Sequence, residues 1–475
     1  MCWSLEGTIV TAGPPSGLGA TCGGRPMLVD RFGGEHSGSG QAAVAAYEEA
    51  VLGILAHRPC VGPALDRALA LDPGLVAGHA LKGLAAVVLA RAELLDPAGA
   101  ALAAARTALA ARDGGTAGER ALVAALADAL AGRLRAAADR LARHLDRHPH
   151  DLLALKLGYA FRFMLGDAAG MLAATSAVLP AWTPAAAGYG FLLGCHAFAL
   201  EECGELRAAE AVGREAVHYE PGDAWGLHAV AHVHEMAGRT GDGIAWLEAS
   251  RPVWRRCNNF AFHMAWHLAL FHLERGDHAR VLELYDREVR PQPSDDFRDV
   301  ANAVSLLWRL GQEGVAVGAR WQELRAIAER RRHETTLVFA SLHYLMALVA
   351  AGDQAAAREL GTAIGARALT GMGDQAGVAA GIGLDLADAI AGPAHRSGAR
   401  AALHRLVAAT PQLGGSHAQR DLFVRTLALL AAEAGDRAAV ARIMAWRGRL
   451  KREDRFAALV RAHLAAALAR RGRAA

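Results

Sequence analysis

The sequence predicts an all-α protein, an α-solenoid of stacked helix hairpins, on three observations. From Gln41 onward helix formers dominate, apolar residues recur three and four apart, and no segment alternates as a strand would. A glycine turn then recurs: AGRLRAAA at Gly132, LGDAAGM at Gly166, CGELRAAE at Gly204, AGRTGDGI at Gly238, RGDHARVL at Gly276, LGQEGVAV at Gly311, AGDQAAAR at Gly352 and AGDRAAVA at Gly435. The first seven of these glycines lie 34, 38, 34, 38, 35 and 41 residues apart. Helix, turn and helix at about 34 residues is the tetratricopeptide period. Finally, a small residue follows the turn by five in Ala137, Ala209, Gly243, Ala316 and Ala357, where the second helix must pack close to the first. Each hairpin alone leaves an apolar face in water, and stacking removes it.

Taken in order, residues 1–40 read as a mobile glycine-rich leader, with GPPSGLGATCGGRP and FGGEHSGSG lacking any period. Residues 41–475 form the helical-repeat domain, with Pro149, Pro221, Pro252 and Pro291 closing units. Apolar residues make up 53% and charged residues 21%, enough for a large core and too apolar for wholesale disorder. The formal charge of +3 is interspersed, which argues against nucleic acid and anionic membrane as partners. Six scattered cysteines without a CxxC pair suit reduced thiols in a cytoplasm. No signal peptide is read at the N-terminus. Met171 to Leu200 carries almost no charge, but Pro180 and Pro184 break it, so no membrane span is expected.

Histidine is the residue that departs from this pattern. Seven of the 21 histidines fall between His228 and His278, within HAVAHVHEM and FHMAWHLALFH. His228, His232 and Glu235 precede Gly238 by 10, 6 and 3, so they share one helical stripe, and Trp225 extends it. His263 and His267 are again four apart on the first helix of the next unit. In tetratricopeptide arrays such offsets face the concave groove, which gathers Trp225, His228, His232, Glu235 and His263 there with His267 at the edge. His343 repeats the position of His267 two units on.

Several chemistries remain open for this group. His228, His232, Glu235 and His263 could ligate a divalent metal, as facing helices in bundles do. His228 or His267 could act as general base, with Glu235 orienting a ring. The group could bind a peptide or metabolite without chemistry, or knit helix to helix. No cofactor is required by any motif, and no HExxH is present. LGGSHAQRDLF offers Ser416 as a helix N-cap with Arg420 and Asp421 in the first turn, a site for an anion or a simple capped turn. SDDFRD reads as a capped helix start, and ERRRH as a solvated helix end.

The ordered segments DAWGLHAVAHVHEM, FHMAWHLALFHLERGD, SLLWRL, GARWQEL, FASLHYLMA and QLGGSHAQRD resemble the tetratricopeptide repeat protein 38 family over about residues 30–430. The resemblance implies a tetratricopeptide-like fold and no particular reaction. It adds Asp299, Trp321, His343, Ser416, Gln419, Arg420 and Asp421 to the recurring polar positions. Asn302, where related sequences tend to carry aspartate, and NNFAF before His263 depart from the pattern. The reading is a cytoplasmic binding or assembly protein. Its ligand site is Trp225, His228, His232, Glu235, His263, His267, Asp299, Trp321, His343, Arg420 and Asp421, and its partner is a peptide, protein or small molecule. The rival is a small-molecule enzyme, hydrolytic or isomerising, using the same histidines.

Overall fold

The computed structural model describes residues 21–22, 25–392, 403–452 and 454–474, and it is overwhelmingly helical. Most of the leader, residues 1–20, lies outside the described residues. Its described end carries short strands. Strands β1 (Thr21–Cys22), β2 (Arg25–Val29) and β3 (Glu35–Ser37) pair antiparallel, with Met27 opposite Ser37. The Asp30 carboxylate organises the β2–β3 turn, accepting from the Phe32 and Gly34 amides and contacting His36 Nε2 at 2.8 Å. Ser37 then donates to Glu119 at 2.6 Å, which docks the hairpin on the helices. Two to five residues per strand are too few for the alternation that a sequence reading relies on.

The helices run as consecutive antiparallel pairs. They are α1 (Gln41–Leu55) with α2 (Val61–Leu71), α3 (Val76–Val88) with α4 (Leu95–Ala110), and α5 (Ala117–Leu130) with α6 (Leu134–Leu145). Next come α7 (Leu152–Met164) with α8 (Ala168–Val178), α9 (Tyr189–Glu202) with α10 (Leu206–Tyr219), and α11 (Ala224–Met236) with α12 (Thr240–Ala249). A short α13 (Arg251–Trp254) leads to α14 (Phe260–Glu274) with α15 (His278–Leu284), then α16 (Phe297–Gln312) with α17 (Arg320–Arg330). The chain continues through α18 (Val338–Ala350) with α19 (Gln354–Thr370), then α20 (Asp374–Val378), α21 (Leu384–Ala391) and α22 (Leu403–Ala409). It ends with α23 (His417–Glu433), α24 (Arg437–Arg447) and α25 (Arg455–Ala474).

The turn glycines 132, 166, 204, 238, 276, 352 and 435 all take positive φ, the left-handed conformation that ends a helix at little cost for glycine. Gly311 does not: it lies inside α16, and Gly314 with φ 75° makes the turn. The spacing therefore evens out to 38 residues on each side, and Ala316 is exposed rather than at a helix contact. Asp151, Asp167, Asp223, Asp277, Asp353 and Asp436 cap the helix that follows, each accepting from a first-turn amide. Where helices cross most closely no side chain fits: a Cβ on Gly243 would sit 2.2 Å from the Phe271 ring.

Burial divides the helices into two layers. The second members of the pairs are amphipathic; α10 buries only Ala209, Gly213 and Ala216. The first members α9, α11, α14, α16 and α18 are buried almost all round. They are enclosed because α23 lies inside, packed against α11 and α16. Trp308 Nε1 donates to Thr426 at 3.0 Å, and Arg309 donates to the Ala418 carbonyl at 2.8 Å. Distant turns also meet: the Asn258 amide donates to the His57 carbonyl at 2.6 Å, and the Gly415 amide to Phe163 at 3.2 Å. The array thus closes on its own C-terminal part. Among the described residues no helix is long and apolar enough to cross a membrane. The described cysteines Cys60, Cys195, Cys203 and Cys257 are free.

Buried ions hold the inner helix in place. Arg447 pairs with Asp421 at 2.6 Å and with Asp454 at 2.6 Å, all three nearly solvent-free. Arg447→Ala would strand both carboxylates, and a loss of about 3–5 kcal/mol in urea-denaturation stability is expected.

Candidate metal centre and adjoining cavity

Helices α11 and α14 bring four imidazoles to one point. His228 Nε2 lies 3.0 Å from His232 Nε2, 3.0 Å from His263 Nε2 and 3.1 Å from His267 Nε2, and the last two are 3.2 Å apart. The spacing of four within each helix aims each pair the same way, and the packing of neighbouring units does the rest. His228, His232 and His267 are at most 1% exposed.

The outer nitrogens fix the tautomers. His267 Nδ1 donates to Glu235 Oε2 at 3.2 Å, and His263 Nδ1 donates to Asn302 Oδ1 at 3.0 Å. His232 Nδ1 faces Glu201 Oε2 at 3.4 Å. A carboxylate or an amide oxygen only accepts, so these Nδ1 atoms carry the hydrogens and the Nε2 atoms present lone pairs. His228 Nδ1 has no acceptor among the described residues; its ring stacks on Phe198 at 5.2 Å. With no acceptor at Nδ1, His228 as a neutral ring carries its single hydrogen on Nε2, where the other Nε2 atoms accept. A further proton is disfavoured there, because burial first, and then the neighbouring imidazoles, hold His228 and His263 well below the ordinary histidine range. Burial likewise pushes His267 down to about 4. Among the described residues these four side chains form a group that could hold a metal ion.

Glu235, read from sequence as a ligand, sits behind the group instead. Its Oε1 accepts from Lys451 at 3.1 Å, and Lys451 and His267 hold it well below the carboxylate range against the pull of burial. His267, expected at the edge, takes the fourth place at the centre. Glu201 on α9 does for His232 what Glu235 does for His267. Although burial raises it, His232 and His417 hold its pKa at about 2. Glu201 precedes Gly204 by three as Glu235 precedes Gly238, so the repeat itself carried the signal.

A cavity of about 190 Å³ opens in front of His228 and His263. Trp225, Phe260, Phe163 and Phe339 supply apolar walls, while Lys156, Asn259, Asn302 and Gln419 add polar groups. His57, from the turn after α1, stacks on Phe260 at 4.2 Å and on Trp225 at 5.6 Å. Burial keeps it neutral, well below the usual histidine range. Lys156 precedes Gly166 by ten, as His228 precedes Gly238, so the repeat marked its position, whereas His57 lies in a turn outside any such register.

The other sequence candidates are dispersed. Asp299 is buried one layer out, accepting from Asn259 at 3.0 Å, and burial with Asp296 nearby raises it to about 6. His343 packs against Phe423 and hydrogen-bonds its own helix through the Phe339 carbonyl at 2.8 Å. Trp321 packs on the hydrophobic core. Arg420 is paired with Glu202 at 2.7 Å and Asp421 with Arg447, so the α23 N-terminus is an internal ion network; Ser416 and Gln419 complete its capping box. No protein-family model matches the chain.

The buried neutral imidazoles set a pH response. His267 and His343 titrate at about 4 when folded, against about 6.5 unfolded, so the unfolded chain binds the extra protons. Stability of metal-free protein should hold above about pH 6.5 and fall below it, by up to about 1.4 kcal/mol per pH unit for each such group. Thermal denaturation from pH 7.5 to 5 checks the sign.

Proposed function

We propose that this protein is a small-molecule metalloenzyme, with a divalent transition-metal ion held by His228, His232, His263 and His267 at the inner end of the cavity. The carrying observation is the convergence of four Nε2 atoms, with Glu235 and Asn302 hydrogen-bonded behind His267 and His263 and Glu201 facing His232 Nδ1 at 3.4 Å. Metal-bound histidines carry that outer partner almost always, because it fixes the ring and raises its basicity. The scaffold is read as a tetratricopeptide-like solenoid of the tetratricopeptide repeat protein 38 family, and the free thiols favour a cytoplasmic setting.

The spacing of the rings is compatible with one ion among them. Five of the six ring pairs have centroids 4.4–4.9 Å apart, whereas among the described residues His232 and His263 share neither ring contact nor hydrogen bond. At metal–nitrogen distances of about 2.0–2.1 Å a tetrahedron spaces all its nitrogens about 3.4 Å apart, while right-angle neighbours are about 2.9–3.0 Å apart. Imidazole donors suit iron, zinc, copper and nickel. With all four Nε2 atoms committed, neither His228 nor His267 serves as a general base; the ion supplies Lewis-acid or redox chemistry to a molecule bound beside it.

Binding of a peptide or protein in a concave groove is the weaker reading, because α23 occupies the inner face and the remaining space is a small cavity.

Metal analysis of protein made without a histidine tag is expected to find about one transition-metal ion per chain, and His232→Gln to lose most of it. Glu201→Leu should weaken metal binding about 10–100-fold while leaving the helical circular-dichroism signal intact. Metal-free protein, or a His232→Gln protein that keeps its metal, would sink the proposal.

A further inference from the structure

We infer that the cavity takes a small carboxylic acid with a single aromatic ring, its carboxylate at Lys156 and its far end toward the metal centre. The inference deepens the metalloenzyme reading and rests on it.

Charge balance comes first. Lys156 on α7 lines the cavity with its Nζ 4.6 Å from the centre of the Trp225 ring, and its recorded polar contact is Cys195 Sγ at 3.7 Å. Among the described residues it makes no ion pair with a carboxylate. The acid that acts on it through space, Asp223, accepts from the Trp225 and Gly226 amides at 3.1 and 3.0 Å. Arg298, the other cation of the lining, is already bidentate on Asp296 at 2.8 and 2.5 Å. Lys156 thus has no carboxylate in contact, and a ligand carboxylate beside its Nζ would supply one.

A second observation points the same way. Asn302 is 2% exposed, and its Oδ1 is committed to His263. Its Nδ2 has no partner among the described residues, although Asn302 lines the cavity. A buried N–H₂ left unmade costs about 1–3 kcal/mol, and an oxygen on the ligand near the metal end would take it up.

Shape supplies the ring. Trp225, Phe163, Phe260 and Phe339 line the cavity with aromatic surface, and His57 stacks on Trp225 and Phe260. Engineered apolar cavities of about 150 Å³ hold a benzene. A space of about 190 Å³ suits a ring with a short acidic arm and excludes nucleotides and peptides. Flat faces recognise one another by offset stacking.

Calorimetric titration of the metal-loaded full-length chain with phenylacetate and with phenylacetamide tests this. The acid is expected to bind at least about tenfold more tightly than the amide. Lys156→Met should abolish that preference and Lys156→Arg should keep it, with metal content unchanged in both. Equal binding of acid and amide, no binding of the acid, or a preference that survives Lys156→Met would overturn the proposal. Metal content on the same preparations separates the two readings. A preference without metal refutes only the metalloenzyme, and metal without a preference refutes only the acid pocket.

Discussion

A helix enclosed on every side can carry a polar side chain only if that side chain finds its partner indoors. Helices α9, α11, α14, α16 and α23 are all in that position, and their polar residues are numerous. They answer the constraint in two ways. Along α23 the answer is ionic: Arg420 with Glu202, and Arg447 with Asp421 and Asp454. Between α11 and α14 it is imidazole set against imidazole, with Glu201, Glu235 and Asn302 behind. The first arrangement neutralises itself with protein groups alone. The second gathers four ring nitrogens at one point, a group that could hold a metal ion.

The outer carboxylates explain why the group is poised for a cation. Four neutral imidazoles bring no negative charge to a dication, so compensation has to come from one layer further out. Glu201 and Glu235 stand there, both nearly solvent-free. Lys451 offsets part of the charge on Glu235 and ties it to the segment after α24. The histidine group is in this way tied to the C-terminal closure.

Local regularity made the helical architecture legible, and long-range closure hid the remainder. Turn glycines announce themselves through conformational necessity, and the spacing of four between His228 and His232 or His263 and His267 defines a face. Gly311, which directly follows the apolar run, is the glycine the pattern picks out, and only the end of α16 shows that Gly314 makes the turn. Glu235 was drawn into the ligand set because it shares the stripe; which nitrogen of His267 it meets depends on the crossing of two helices, and no spacing reports that. Glu201 repeats the Glu235 position and was within reach. Lys156, His57 and Asn302 come from three distant units, and their meeting depends on how far the array curves. Placing α23 inside was beyond any periodicity, since its sequence reads like that of its siblings.

Most stacked-hairpin proteins have two free ends, and their terminal units fray independently of the middle. Here the penultimate hairpin supplies the central post, so removing it would unroof the innermost helices rather than shorten the stack. Cooperativity of a globular kind follows from that topology. The order of synthesis follows as well: both imidazole-bearing helices emerge before the post that covers them, which leaves an interval in which an ion can reach the interior of a half-built wall.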